Sequence, residues 1–478
     1  MSRPFPEDPF LTGAWKPWPM EGEIRDLLIE GEIPAELTGT LYRNGPNQQF
    51  APRAPYHPFS GDGMIHAFKI EGGRCHYRNR WVRTPRFELE REAGEALFSS
   101  FGDPATSDPR TRGVPGGPSN TNVIWHGGRL LSLVEGGLPP VELDPETLET
   151  IRVHDFDGEL TRPMDPQIAE LMGTQLKEGR APGIFTAHPK VDPKTGAMLG
   201  FGYSPFAPYL IYHEVSADGR LTRTEEIDCP YPAMVHDFIA TDEHIIFPLF
   251  PATMRIERAM EGESVLAWEP DLGTRVGVMP RKGTAADIVW MEADPCFVFH
   301  PMNAHEDGKK IVAEMAQFAV FPLGEGGGTP GQPNPPMLTR WHIDLEAGQV
   351  RYEQLDDAPV EFPRLDERYA GLENRYGYCA GGDIQEGMGD LLRYDLQKGT
   401  SDVHHLPEGS AASEPVFVPR SDDSPEGEGF LLSVVYSAPE DRSDLVILDA
   451  ENLSAGPLAR AKLPHRVPSG FHGNWRPA

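Results

Sequence analysis

The feature that most constrains this chain is a short pattern that returns six times. A strand-like run ends, a turn follows at an acidic residue, and another strand-like run begins. It reads ELDPETLETIRV from Glu142, KVDPKTGAMLGF from Lys190 and EVSADGRLTRTE from Glu214. It returns as HIDLEAGQVRYE from His342, RYDLQKGTSDVH from Arg393 and ILDAENLSAGPLARAKL from Ile447. Asp-Pro, Asp-Gly and Ala-Gly are turn-forming pairs, so each copy is a hairpin. A hairpin cannot bury both of its faces alone. Its recurrence over more than 300 residues predicts stacked blades of a β-propeller, with an unclosed all-β protein as the alternative.

The rest of the chain agrees with an all-β reading. RLLSLV from Arg129, HIIFPLF from His244, FLLSVVY from Phe430 and DLVIL from Asp444 are short, apolar, β-branched and bounded by turn formers. Helical patterns are scarce, the best being 166–179 and 88–97. With 478 residues the chain would ordinarily split into two or three domains. A closed repeat grows by adding units instead, and no low-complexity linker divides the sequence. The glycine-rich piece at 324–336 lies between strand-like runs and reads as a surface loop. Residues 1–478 are therefore expected to form a single domain.

Charge and cysteines narrow the function. A net charge of −30 argues against nucleic acid as a partner and against adsorption to an anionic membrane by charge. Docking through an apolar patch stays open. FAVFPL from Phe318 and FPLFPATM from Phe247 are candidates, with buried strand or loop as the competing reading. Cys75, Cys229, Cys296 and Cys379 are scattered and form no CxxC pair, which fits a reduced cytoplasmic setting. The N-terminal MSRPFPEDPF has no apolar core of a signal peptide, and no run of 18 apolar residues predicts a transmembrane helix. The sequence carries no signal of oligomeric state.

Four of the sixteen histidines share a context. His188 lies in FTAHPKVD, His236 in MVHDF, His300 in FVFHPMNAHEDG and His472 in SGFHGNW. Each follows an apolar or small residue at a strand end and precedes a turn former. In a propeller, such positions from four blades can converge on the axis. Their gaps of 48, 64 and 172 residues match no local metal motif. HExxH, a Walker loop, a Rossmann GxGxxG followed by a helix and a GxSxG elbow are all absent.

Eight stretches, in order, carry a resemblance. They are LYRNGPNQQF from Leu41, FSGDGMIHAF from Phe59, TAHPKVDPKTG from Thr186, MVHDF from Met234, FHPMNAHEDG from Phe299, EFPRLDERY from Glu361, SEPVFVPR from Ser413 and GFHGNW from Gly470. Over essentially its whole length the chain resembles the carotenoid cleavage oxygenase superfamily. The resemblance implies a seven-bladed propeller, with short helices and loops capping an axial non-haem Fe(II). By motif match the iron ligands are His188, His236, His300 and His472, while His305 falls outside the ligand position. The glutamates that bond the outer nitrogens of three ligand rings match Glu135, Glu361 and Glu414. His188 is left without a glutamate. Imidazole suits Fe(II), and carboxylates behind the rings fix their tautomers and offset the ion's charge.

The implied reaction is cleavage of a conjugated carbon–carbon double bond by O2 into two carbonyl products. It needs no outside reductant and no general base, so no catalytic side chain beyond the iron centre is named. The substrate is expected in an apolar tunnel, with Phe59, Phe101, Val134 and Phe318 as candidate contacts. Phe299, Phe321, Phe471 and Trp125 are further candidates, although Phe299 and Phe471 also suit packing between blades. In the stilbene-cleaving branch a tyrosine and a lysine hold the phenol oxygen; Phe101 and Val134 stand at those positions. An apolar pair would leave a phenolate unpaired, at about 1–3 kcal/mol. An apocarotenoid is therefore the expected substrate, and a lignin-derived stilbene or phenylpropene the alternative. A non-catalytic propeller would leave the histidines unexplained. A zinc hydrolase would lack a nearby carboxylate for water activation. An isomerase would share the iron site.

Overall fold

The computed structural model describes residues 3–53, 55–99, 106–136, 138–261, 263–323, 333–383 and 387–478. Its strands form seven blades around an axis. Chain termini close the ring. The innermost strand of the first blade is C-terminal, Gly473–Pro477, and it pairs antiparallel with Gly39–Pro46. Gly63–Glu71, Arg74–Trp81 and Gly22–Ile24 follow outward. The seventh blade is completed at its outer edge by N-terminal Leu28–Gly31, paired with Pro457–Lys462.

The innermost strands of blades two to four begin with Asn122–His126, Lys190–Val191 and Ile239–Ala240. Those of blades five to seven are Phe297–Asp307, the end of Gln349–Leu365, and Val416–Pro419. Gln349–Leu365 is one 17-residue strand serving two blades, outermost in the fifth and innermost in the sixth.

The six hairpins of the sequence pattern are all present. Five join the third and fourth strands of a blade, and the copy at Lys190 joins the first and second. Strands alternate in direction, so all six lie on one face of the ring. In five of them the acidic residue accepts a local backbone N–H with its own carboxylate, and in the copy at Glu214 Ser216 Oγ does so. Asp144 accepts the N–H groups of Glu146 and Thr147, Asp192 those of Lys194 and Thr195, and Asp344 those of Glu346 and Ala347. Side chains that satisfy local backbone donors in this way make the turn independent of its surroundings.

The opposite face, where the innermost strands begin, carries the long connections. Among them are the hairpins Thr161–Pro163 with Arg180–Pro182 and Ala252–Met254 with Leu266–Trp268. Two helices there differ from the sequence expectation. The helix expected over 166–179 is Pro166–Met172, begun by the Asp165 carboxylate and stopped by Gly173 at φ +70°. The one expected over 88–97 is Pro85–Ala93, capped by Thr84 and ended by Gly94 at φ +72°. In both, a capping side chain and a left-handed glycine override the apolar pattern.

The core lies between blades. Phe201, Phe238, Phe247, Phe297 and Trp341 fill the space between blades three, four and five. Phe68, Tyr77, Phe430 and Leu445 join the first blade to the seventh. Each fully buried apolar side chain of this size contributes about 1.5–3 kcal/mol, and the axis is left free for polar groups.

Candidate metal centre

Each of the four histidines sits where an innermost strand begins. In TAHP, Pro189 has no N–H, so the ladder starts at Lys190 and His188 is left in the entry turn, its own N–H on Thr186 Oγ1 at 2.8 Å. In FHP, Pro301 breaks the ladder, and the register shifts between Val298 and Pro301. His472 is fixed through its backbone: its N–H reaches Thr121 O at 3.1 Å and its carbonyl accepts from Asn44 at 2.9 Å. Gly470 permits that approach, because a Cβ there would stand 2.7 Å from the Asn44 carbonyl.

All four side chains are buried, and one nitrogen from each lies within 4.8 Å of the others. Nδ1 of His236 bonds to Glu135 Oε2, Nδ1 of His300 to Glu361 Oε2 at 2.6 Å, and Nδ1 of His472 to Glu414 Oε1 at 2.9 Å. A carboxylate accepts, so these Nδ1 atoms carry the protons and each Nε2 presents a lone pair to the centre. Nε2 of His236 and Nε2 of His300 stand 3.2 Å apart. Two lone pairs at that distance repel unless a cation lies between them. Nε2 of His188 is buried without a hydrogen-bond partner. Burial drives His188 well below the usual imidazole range, and His472 down to about 4 against the pull of Glu414. Burial also disfavours charge on His300, but the Glu361 carboxylate outweighs it and raises that ring. Buried imidazoles with orphaned lone pairs and carboxylates behind them fit a metal ion.

The carboxylates are themselves held. Tyr203 Oη donates to Glu135 Oε1. Glu414 Oε2 accepts the Gly473 N–H at 2.9 Å and pairs with Arg364 at 3.0 Å. Phe362 donates its N–H to Glu361 Oε2 at 2.6 Å. It has φ +50°, a strained value for a phenylalanine, at a register break between Glu361 and Arg364. That kink lays its ring against His300 and His472, at 5.2 and 5.3 Å. Asp237 and Lys190 form a further pair at 2.8 Å beside His188. Carboxylates thus stand behind the rings, as the outer ring of groups around a metal ion would require.

Aromatic rings cover the cap side. Phe59 stacks over His236 at 6.4 Å and meets Phe471 edge-on at 5.6 Å. Phe299 packs on His236 at 5.0 Å, and Phe318 stands behind it at 5.7 Å. Phe321 is buried against Phe297. Val134 is packed in an apolar cluster with Tyr42, Ile65 and Leu138. Phe101 lies outside the described residues. The two apolar runs offered as surface patches are largely interior: Phe247, Leu249, Phe250, Phe318 and Phe321 are all buried. His305 continues the strand away from the centre, opposite Val312.

Beneath the rings a cavity of about 450 Å³ follows the axis, lined by His188, His300, His472, Asp237 and Arg364. Trp125 lies on its wall, stacked under Arg476. Sequence reasoning missed Asp237, Lys190, Arg364, Tyr203 and Phe362. Asp237 adjoins His236 and Lys190 lies two residues past His188, so proximity to a candidate ligand was an available signal for both. Tyr203 had none.

The family model described as retinal pigment epithelial membrane protein matches residues 15–477. An isoeugenol monooxygenase of Pseudomonas putida is 39% identical over 98% of both chains. The crystal structure of Pseudomonas brassicacearum lignostilbene dioxygenase superposes with a TM-score of 0.91, at 34% identity over 100% of both chains. A Synechocystis apocarotenoid oxygenase variant does so with 0.84, at 29% identity over 100% of both. With its seven blades and this match along nearly its whole length, the chain belongs to the retinal pigment epithelial membrane protein family, that of the carotenoid cleavage oxygenases.

Proposed function

We propose that the chain is a non-haem Fe(II) oxygenase that uses O2 to cleave a conjugated carbon–carbon double bond into two carbonyl fragments. His188, His236, His300 and His472 would be the ligands, with Glu135, Glu361 and Glu414 orienting three of them. The observation that carries this reading is the convergence of four buried imidazoles whose outer nitrogens, in three cases, are tied to carboxylates. An all-imidazole set suits iron. When bound, iron would supply the means for O2 to react with a closed-shell alkene. The protein's part is to seat the alkene and keep water out, which Phe59, Phe299, Phe362 and Phe471 are placed to do. Both oxygen atoms enter the two carbonyls, so no reductant is consumed.

The substrate we favour is an aryl-conjugated alkene, a phenylpropene or stilbene. Support comes from relatives named for isoeugenol and lignostilbene and from the higher TM-score of the lignostilbene enzyme. An apocarotenoid is the second reading, supported by relatives named as carotenoid cleavage oxygenases and by the likeness to apocarotenoid oxygenase structures. All four cysteines are buried and free, which supports a reducing, cytoplasmic setting. Among the described residues no helix is long and apolar enough to cross a membrane.

Fe(II)-loaded protein is to be incubated in air with a 4-hydroxyphenylpropene, a 4-hydroxystilbene and an apocarotenal, and the products separated by mass spectrometry. Aromatic aldehydes are expected from the first two. Cleavage of the apocarotenal alone would move the substrate to the second reading. No cleavage of any, with iron bound, would overturn alkene cleavage. His236→Ala and His472→Ala are expected to lose the iron and keep the fold by circular dichroism; retained iron in either would remove the ligand assignment.

A further inference from the structure

Three ligand rings lean on glutamates, and His188 has none. We propose that Asp237 is the fourth carboxylate of the centre and a positioning residue for His188. It fixes that ring's tautomer and rotation, so that Nε2 faces the ion. The inference rests on the metal reading above.

The geometry places one oxygen of Asp237 at the right nitrogen. Asp237 Oδ2 lies 3.7 Å from Nδ1 of His188, and both side chains are buried. That distance exceeds a hydrogen bond, but a small rotation of the imidazole closes it. The carboxylate cannot drift away. Its Oδ1 accepts the Phe238 N–H at 2.7 Å, and Lys190 Nζ reaches Oδ1 at 2.8 Å and Oδ2 at 2.9 Å. The neighbours of two ligands thus clasp each other across adjacent blades: Asp237 follows His236, and Lys190 lies two residues past His188. With Nδ1 as donor to Asp237, the partnerless Nε2 of His188 becomes a lone pair aimed at the centre, like those of the other three rings. A buried aspartate could instead serve only to neutralise Lys190, and the test separates the two roles.

Co(II) is to be titrated into the metal-free full-length protein, with affinity read by chelator competition and coordination by the visible d–d absorption. Asp237→Asn is expected to lower affinity by about 10–100-fold and to shift the absorption band. Lys190→Met, which keeps the carboxylate, is expected to retain or raise affinity. Asp237→Asn with Lys190→Met removes both charges and guards against a fold lost to an unpaired lysine; the affinity loss is expected to persist in it. Wild-type affinity in Asp237→Asn, or its recovery in the double variant, would overturn the role of Asp237 while leaving the metal centre standing. Failure of the wild type to take up Co(II), or undiminished uptake by His188→Ala, would instead overturn the metal reading and this inference with it.

Discussion

Arg364 ties the ring shut near its axis, and its removal has a calculable cost. Its guanidinium meets Glu414 Oε2 at 3.0 Å, the Gly473 carbonyl at 2.9 Å, Asn474 Oδ1 at 3.0 Å and Glu367 Oε1 at 2.9 Å. One side chain from the sixth blade thereby joins the seventh to the C-terminal strand of the first. Arg364 is 13% exposed and Glu414 4%. Burial pushes the Glu414 carboxyl up, but the Arg364 charge and then His472 outweigh it and hold it at about 2. Breaking a buried pair by deleting one partner costs about 3–5 kcal/mol. For Arg364→Met we expect that loss in the metal-free protein, where ligand linkage cannot interfere. If the 478 residues melt as one unit, at ~2.1 cal/mol/K each, it lowers Tm by roughly 3–5 °C. Calorimetry on Arg364→Met, Glu414→Gln and the double variant measures the coupling. The double variant should lose much less than the sum of the single losses, because neither charge is then left buried alone. A Tm within 1 °C of wild type for Arg364→Met, or simple additivity in the double, would refute this account.

Glu361→Gln keeps the shape but removes the charge behind His300, and should weaken metal binding by about 10–100-fold. Unchanged affinity in chelator competition would show that Glu361 does not tune the site. Burial pushes the Asp62 carboxyl up to about 7, against the pull of Arg86 and with the push of Glu90. The folded state then keeps a proton that the unfolded chain releases near pH 4. That contribution to stability is present at low pH and lost as pH rises through about 7. Asp62→Asn should flatten the fall in Tm between pH 5 and 8; an equal fall in both proteins would exclude Asp62 as its source.

The hairpins were legible because their causes are local. An acidic residue that satisfies the N–H groups two and three positions on makes its turn wherever the segment lies, as Asp144, Asp192 and Asp344 do. The context of His188, His236, His300 and His472 was also written locally, but the strand ends expected there are the starts of innermost strands, or the first residues of one for His300. Helix ends were misjudged where a cap and a left-handed glycine outweighed the apolar pattern, as at Thr84 and Gly94. Convergence of the four rings could not be read from their spacing, since cap segments of unequal length separate the blades. Glu135 and His236 are 101 positions apart, and Arg364 and Asn474 are 110. Such contacts depend on how many blades intervene and on termini that close the ring. Val134 shows the same limit from the other side: its neighbour Glu135 reaches the centre, while Val134 packs between blades. Sequence by itself determined the strands, their turns and the residues fit to bind a metal. The tertiary structure alone decided which of them meet, because ring closure places distant residues on one axis and buries their charges together.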